Sequence, residues 1–362
     1  MLGRHVVRKL RRSSVWSLSD LSVLFVKLAL ISSGIVTLIW RPSAAWIEEF
    51  YVNGFYPIWE RSAATVSRPF PFALGDVLAI VLVGLIAAVV VLGLRTHSWK
   101  RSTLTLFAIA GFVGTFYQIS WGWNYDRAPL ESHLDYNGGA VSRPAVEALR
   151  KRVISELNLL APRAHALSAE PLPISTLHSN WLPVVQRLGD NWTPVVGPPK
   201  QTLTAPLLAL NGTMGYMNAF TLEVQLAPDE LWFERPFYLA HEWSHAAGFA
   251  REDEANYIAA ITCIRSKNPV IEYSGWMELF FYLPWQRFYA KNTFSQIVWS
   301  DFNMIRKRNA SHVNNSFANF TWNVYYKVYL QANHVSSVSS YNNVIRLMLS
   351  IPLDSKGLPV AK

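Results

Sequence analysis

Three long apolar runs open the chain, and a different pattern follows them. Residues 21–40 read LSVLFVKLALISSGIVTLIW, 73–94 read ALGDVLAIVLVGLIAAVVVLGL, and 102–121 read STLTLFAIAGFVGTFYQISW. About 20 apolar residues in a helix cross the hydrocarbon core of a bilayer, so each run is expected to span one. The first run is longer than the apolar stretch of a signal peptide. Trp40-Arg41-Pro42 follows it where a small-residue cleavage site would stand, so it reads as an uncleaved span. Lys27, near its basic end, can snorkel to the headgroups. Residues 41–72, rich in Trp, Tyr, Phe and Pro, read as a loop.

Beyond residue 122 the pattern is that of a folded domain. PAVEALRKRVISELNLLA (144–161) has the period of a helix. TLEVQL (221–226) alternates polar and apolar as a half-buried strand does. PFYLAHEWSHAAGF (236–249) reads as a helix, with Pro236 suited to its first turn and Gly248 to its end. EDEANYIAAITCIRS (252–266) reads as a second helix, and the tail over 275–350 as mostly helical. The expected fold is a membrane-anchored α+β protein. Residues 1–121 form an anchor of three N-terminal transmembrane helices, and 122–362 a mostly helical domain with a small β-sheet.

Charge adds a topology. Only 16% of the residues are charged, against about 25% in soluble domains. The net charge of +9 could suggest nucleic acid, but much of the excess flanks the apolar runs: Arg4, Arg8, Lys9, Arg11 and Arg12 before the first, Arg95, Lys100 and Arg101 between the second and third. No nucleic-acid partner is expected. The positive-inside rule puts the N-terminus and the basic link in the cytoplasm, and both 41–72 and 122–362 outside. A transporter is disfavoured, because the runs carry only Lys27 and Asp76, both near their ends. The single cysteine, Cys263, excludes an internal disulfide and any multi-cysteine metal site; it is expected to be buried.

The candidate chemistry lies in HEWSH (241–245). Residues i and i+4 share a helix face, so His241 and His245 can aim at one ion. Glu242, rotated by about 100°, flanks it. Two histidine ligands with a carboxylate placed to take a proton from the attacking water are the arrangement of a zinc hydrolase. A third ligand is needed. Gly248 lets the chain turn back, which makes Glu252 the first candidate. Glu254, about 200° away around the helix, is the second and Asp253 the third. Asn256, one turn past Glu252, is placed to steady a ligand. Arg251 stands where another zincin type has a third histidine, which favours a carboxylate. TLEVQL is the candidate edge strand for pairing with a peptide backbone. Tyr125 and Tyr273 are expected to pack, and WGWNYDR (121–127) to anchor the chain at the membrane interface.

HEWSHAAGFAREDEANYIA (241–259) resembles the signature of an uncharacterised family of bacterial membrane proteins with about three N-terminal spans and an outward HExxH domain. SWGWNYDR (120–127), GYMNAFTLEVQL (215–226) and KVYLQANHVSSVSSY (327–341) resemble the same family. HExxH followed by E-x-x-A-N is also similar to the gluzincin metallopeptidases, where the segment is often E-x-x-A-D. That resemblance implies a zincin-like domain with Zn2+ held by His241, His245 and Glu252, Glu242 as general base, and Asn256 steadying a ligand. Asn256 in place of Asp and the short gap from His245 to Glu252 are departures from the pattern. The implied activity is a membrane-anchored zinc metallopeptidase that hydrolyses peptide bonds on the outer side of the cytoplasmic membrane. Its substrate would be an envelope or membrane-proximal peptide or protein. The alternative is a non-catalytic envelope sensor or scaffold that zinc stabilises. Structural zinc is normally closed in by four protein ligands, whereas three candidates plus Glu242 in the base position favour the enzyme.

Overall fold

The computed structural model describes residues 18–189, 192–284, 292–312 and 340–362. The basic N-terminal residues and most of the 327–341 motif lie outside the described residues. Three helices, Leu18–Ile39, Leu74–Thr96 and Trp99–Ser120, are long and apolar enough to cross a membrane, within a few residues of the expected runs. The chain divides into two compact units, one of 18–40 with 83–116, the other of 41–82 with 117–362.

In the first unit, small residues set the packing. A Cβ built on Gly34 would lie 2.6 Å from the Gly111 Cα, so the first and third apolar helices meet backbone to backbone there. Ser33 Oγ and Thr115 Oγ1 hydrogen-bond at 2.9 Å beside that contact. Lys27, expected to snorkel, instead donates to Thr105 Oγ1 at 2.6 Å.

The second unit differs from expectation at its start. Residues 41–72 are not a loop: Ala44–Trp46, the π-helical Ile47–Phe55 and Tyr56–Ser67 follow one another as helix. Ile47, Tyr51, Val52 and Tyr56 are buried in one core with Phe237, Trp243 and Ile258. Their spacing of four to five residues suits wide π turns, and the Trp, Tyr and Phe content serves this core as well as an interface. Glu48 and Glu60 accept from the backbone N–H groups of Ala128 and Val195, which ties the segment to the rest of the unit.

Helices carry most of this unit. The HEWSH helix, Arg235–Ala246, packs on the EDEAN helix, Glu252–Ile264, and on Pro269–Tyr282. A second core joins Val153, Leu157 and Leu160 of Arg143–His165 to Trp276, Met277 and Phe280. The sheet is small: β1 (Gly215–Met217) pairs antiparallel with β2 (Val224–Leu226), Gly215 opposite Leu226. Only the last three residues of TLEVQL are strand. Thr221 lies in a turn closed by the Asn218 side chain, and Leu222 has φ +54°.

The residue before β2, Glu223, is buried and accepts from Leu74 N–H (3.0 Å), Gly75 N–H (2.9 Å) and the Thr221 hydroxyl (2.9 Å). It thus caps the N-terminus of the second apolar helix, where the helix dipole favours a carboxylate. Asp76 binds Thr202 Oγ1 and Leu203 N–H one turn further on. Hydrogen bonds to a charged group contribute about 1.5–3 kcal/mol, so Glu223→Ala should destabilise the protein by about that amount. Thermal unfolding of the detergent-purified chain checks this, and an unchanged midpoint would refute the cap.

Candidate metal centre

The HEWSH helix is held on its back face before it offers anything at its front. Pro236 sits in its first turn. The Trp243 indole N–H donates to Gly197 O at 2.9 Å, the Trp181 indole to Ser244 Oγ at 3.1 Å, and Ser244 Oγ to Ala240 O at 2.7 Å. Phe237 N–H donates to Ser274 Oγ at 3.1 Å. At the C-terminal end Gly248 has φ +90°, and a Cβ there would lie 2.8 Å from Asn124 Oδ1. Phe249 N–H then returns to Ser244 O at 3.0 Å. The Tyr56 hydroxyl donates to Ala246 O (2.8 Å), and the Trp121 indole donates to His245 O (3.1 Å), which also accepts from Gly248 N–H.

This turn positions the first imidazole. His245 Nδ1 lies 2.8 Å from Phe249 O. A carbonyl oxygen only accepts, so Nδ1 carries a proton, and in the neutral imidazole the lone pair is on Nε2. That Nε2 faces His241 Nε2 at 3.0 Å. Glu252 Oε2 completes the group, 3.4 Å from His241 Nε2 and 3.7 Å from His245 Nε2. Among the described residues these three form the one group of His, Cys, Asp or Glu whose ligand atoms all lie within 4.8 Å of one another. Around a tetrahedral zinc with bonds of about 2.0–2.1 Å, ligand atoms stand about 3.3 Å apart, and the three edges here bracket that value. Two nitrogens and a carboxylate oxygen suit zinc among divalent ions. The residues present therefore fit the ion.

The electrostatics match. Both histidines are buried, whereas the Glu252 side chain is 41% exposed and opens the group to solvent. Burial by itself would lower the His245 imidazole, but the Glu252 and Glu242 carboxylates outweigh it and raise it to about 9. Burial likewise opposes ionisation of Glu252, and the two imidazoles overcome it and hold that carboxyl far below its usual range. This is a negatively charged partner facing two nitrogen ligands. Glu242 lies beside the group, buried, and its carboxyl is raised by that burial. It accepts from Met217 N–H of β1 and rests against Gly215, where a Cβ would come within 2.6 Å of Glu242 Oε1.

The other acidic candidates are turned elsewhere. Glu254 accepts from Leu130 N–H at 3.1 Å, and burial pushes its carboxyl up to about 7. Asp253 accepts from Glu254 N–H and from Asn343. Asn256 is buried one turn past Glu252. Arg251 donates to Arg127 O at 3.2 Å. Tyr273 packs in the second core, with its hydroxyl on Asp301 Oδ2 at 2.6 Å, and Tyr125 stacks edge-on to Trp121.

Two expectations change. The strand beside the group is β1, not TLEVQL. Val224 O of β2 accepts from Lys200 N–H at 2.7 Å, so that outer edge is engaged, whereas Met217 N–H of β1 points to Glu242. Gly215, lacking a side chain, is what lets the strand come so close. WGWNYDR, expected at the membrane interface, underlies the site: Trp121 is buried against His245, with ring centres 6.2 Å apart, and the Arg127 guanidinium sits 4.7 Å over the Phe249 ring. Trp121, Phe249, Gly215 and Tyr56 were missed in the sequence because their roles rest on backbone groups. The only signal was the aromatic density of their segments.

Fold and site together define a chain with three membrane-type helices and a helical unit that brings two histidines of an HExxH helix together with a glutamate of the helix that follows. The chain belongs to the family described as "Protein of unknown function (DUF3810)", which it matches over residues 51–349. No curated protein and no solved structure matches it.

The Gly248 turn generates a prediction. A left-handed backbone and the Asn124 contact both penalise a side chain, so Gly248→Ala should cost about 1–3 kcal/mol. A denaturant midpoint measured beside wild type checks it, and an unshifted midpoint would contradict the turn.

Proposed function

We propose that this protein is a membrane-anchored zinc metallopeptidase with its active site outside the cytoplasmic membrane. The observation that carries the reading is the convergence of His241, His245 and Glu252 with Glu242 held beside them against β1. His241, His245 and Glu252 would hold the ion, which when bound polarises the scissile carbonyl and lowers the pKa of water to about 7. Glu242 takes the proton from the attacking water and hands it to the nitrogen of the leaving amine. Burial raises the Glu242 carboxyl, which makes it the better proton carrier near neutral pH. The Phe249 carbonyl keeps the His245 proton on Nδ1, so Nε2 stays available. The outer edge of β1, which faces Glu242, is suited to pair with an extended peptide backbone.

Topology supports an outward site. In any three-span arrangement, 41–72 and the chain beyond residue 122 lie on the same side, and these two stretches share one compact unit. The basic link with Arg95, Lys100 and Arg101 supports an outer position for that side by the positive-inside rule. Membrane-proximal and envelope peptides or proteins are the substrate class that such a position reaches.

The test is metal content of the full chain in detergent. About one zinc per chain is expected in wild type and in Glu254→Gln, and little in His245→Ala or Glu252→Ala. Metal-free but folded wild type would sink the hydrolase reading. Glu242→Gln should keep its zinc and lose peptide hydrolysis by about 10²–10⁴-fold. Zinc in the wild type, with no hydrolysis of any peptide in a broad library, would leave zinc the role of holding a sensor or scaffold together.

A further inference from the structure

A second polar cluster lies one helical turn from Glu242. Tyr238 precedes Glu242 by four residues on the HEWSH helix, and Met214 immediately precedes Gly215. Both line a cavity of about 500 Å³ whose wall also includes Glu234, Glu278, Phe281 and Arg308. Three buried glutamates gather here. Glu234 is paired by Arg308, whose Nη2 lies 3.1 Å from Oε1. Glu278 accepts from the neutral Tyr238 hydroxyl at 3.1 Å and has no ion-pair partner among the described residues. Glu230 is 7% exposed, and neither of its oxygens has a hydrogen-bond partner among the described residues. It is not part of the cavity wall, but it lies close enough to Glu234, Glu278 and Arg308 for their charges to act on it.

Buried carboxyls without cations are costly unless they hold protons or find a positive partner. Burial, then Glu234, pushes Glu278 up to about 8 and Glu230 well above the usual range. A cation brought into the cavity replaces those protons. A single divalent ion is not what the geometry suits, because these oxygens do not converge as the His241, His245 and Glu252 atoms do. The apolar wall from Met214 and Phe281 suits the methylene stem of a long basic side chain.

We propose that this cavity is the subsite of the peptide cleft that binds a cationic amino group of the substrate, with Glu278 as its acceptor and a lysine-like side chain as its occupant. The inference rests on the peptidase reading of the neighbouring site. The test measures binding and cleavage separately. Three otherwise identical labelled peptides are used: N-acetylated with lysine, N-acetylated with norleucine, and norleucine with a free N-terminus. Binding to the zinc-loaded, full-length Glu242→Gln chain in detergent is read by fluorescence anisotropy. The lysine peptide is expected to bind at least about tenfold more tightly than its acetylated norleucine counterpart. Adding Glu278→Gln should level the difference, with zinc content and melting temperature held. Glu278→Gln preserves side-chain shape and still meets the Tyr238 hydroxyl, so it separates charge from folding.

Equal binding of all three peptides overturns the inference. Tightest binding of the free-amine norleucine peptide overturns the side-chain occupant and makes the α-ammonium the bound group. Wild-type cleavage of both acetylated peptides at equal rates overturns the subsite while leaving the peptidase intact. A lysine preference in binding, with no cleavage by wild type, sinks the peptidase reading instead and leaves an amine-binding cavity.

Discussion

A buried pair of imidazoles one turn apart must account for four ring nitrogens, and the rest of the site follows from how that is done. Two Nε2 atoms 3.0 Å apart cannot both carry protons without repulsion. The Phe249 carbonyl decides the matter for His245 by taking its Nδ1 proton. That carbonyl is in place only because Gly248 reverses the chain with a left-handed backbone. The same reversal starts the EDEAN helix at Glu252, so one glycine supplies both the tautomer of one histidine and the approach of the carboxylate.

The turn in turn depends on distant chain. Tyr56 and Trp121 donate to the last carbonyls of the HEWSH helix, and Asn124 lies against Gly248. Two segments flanking the apolar helices thus close the helix end that carries His245. Glu223 and Asp76 fasten the N-terminal turns of the second apolar helix to the region around β2. Chain that local pattern assigns to the membrane boundary is part of the structure that shapes the site, and it meets the His245 end of the helix through hydrogen bonds to backbone carbonyls and through the Trp121 ring.

Within about one turn of each other on the HEWSH face stand two kinds of polar group. His241, His245 and Glu252 converge, with two nitrogens and one charged oxygen. Glu234 and Glu278 line a cavity together with Arg308, and Glu230 is buried close by. The first arrangement suits a compact ion, the second an extended organic cation, and the difference lies in how closely the donor atoms approach one another.

Local periodicity determined a good deal. The three apolar helices, the HEWSH and EDEAN helices, the glycine that ends the first, and the shared face of His241 and His245 all follow from patterns within a few residues of one another, where the 3.6-residue helical repeat operates. The ranking of Glu252 over Glu254 also followed from that repeat, since residues two apart point to opposite sides. What the tertiary structure decided was everything that relies on backbone atoms or on distant chain. Residues 41–72 read as a loop because wide π turns over 47–55 break the 3.6 period, and burial of Ile47, Tyr51, Val52 and Tyr56 in the shared core favours helix over 44–67. TLEVQL alternates better than GYM, yet β1 lies beside Glu242, because Gly215 alone permits that approach. Trp121 carries no mark that separates an interface aromatic from one bonded to a helix carbonyl. Glu230 and Glu234 are neighbours four residues apart, but Glu278 and Arg308 lie far along the chain, and only the packing of these segments brings their charges together.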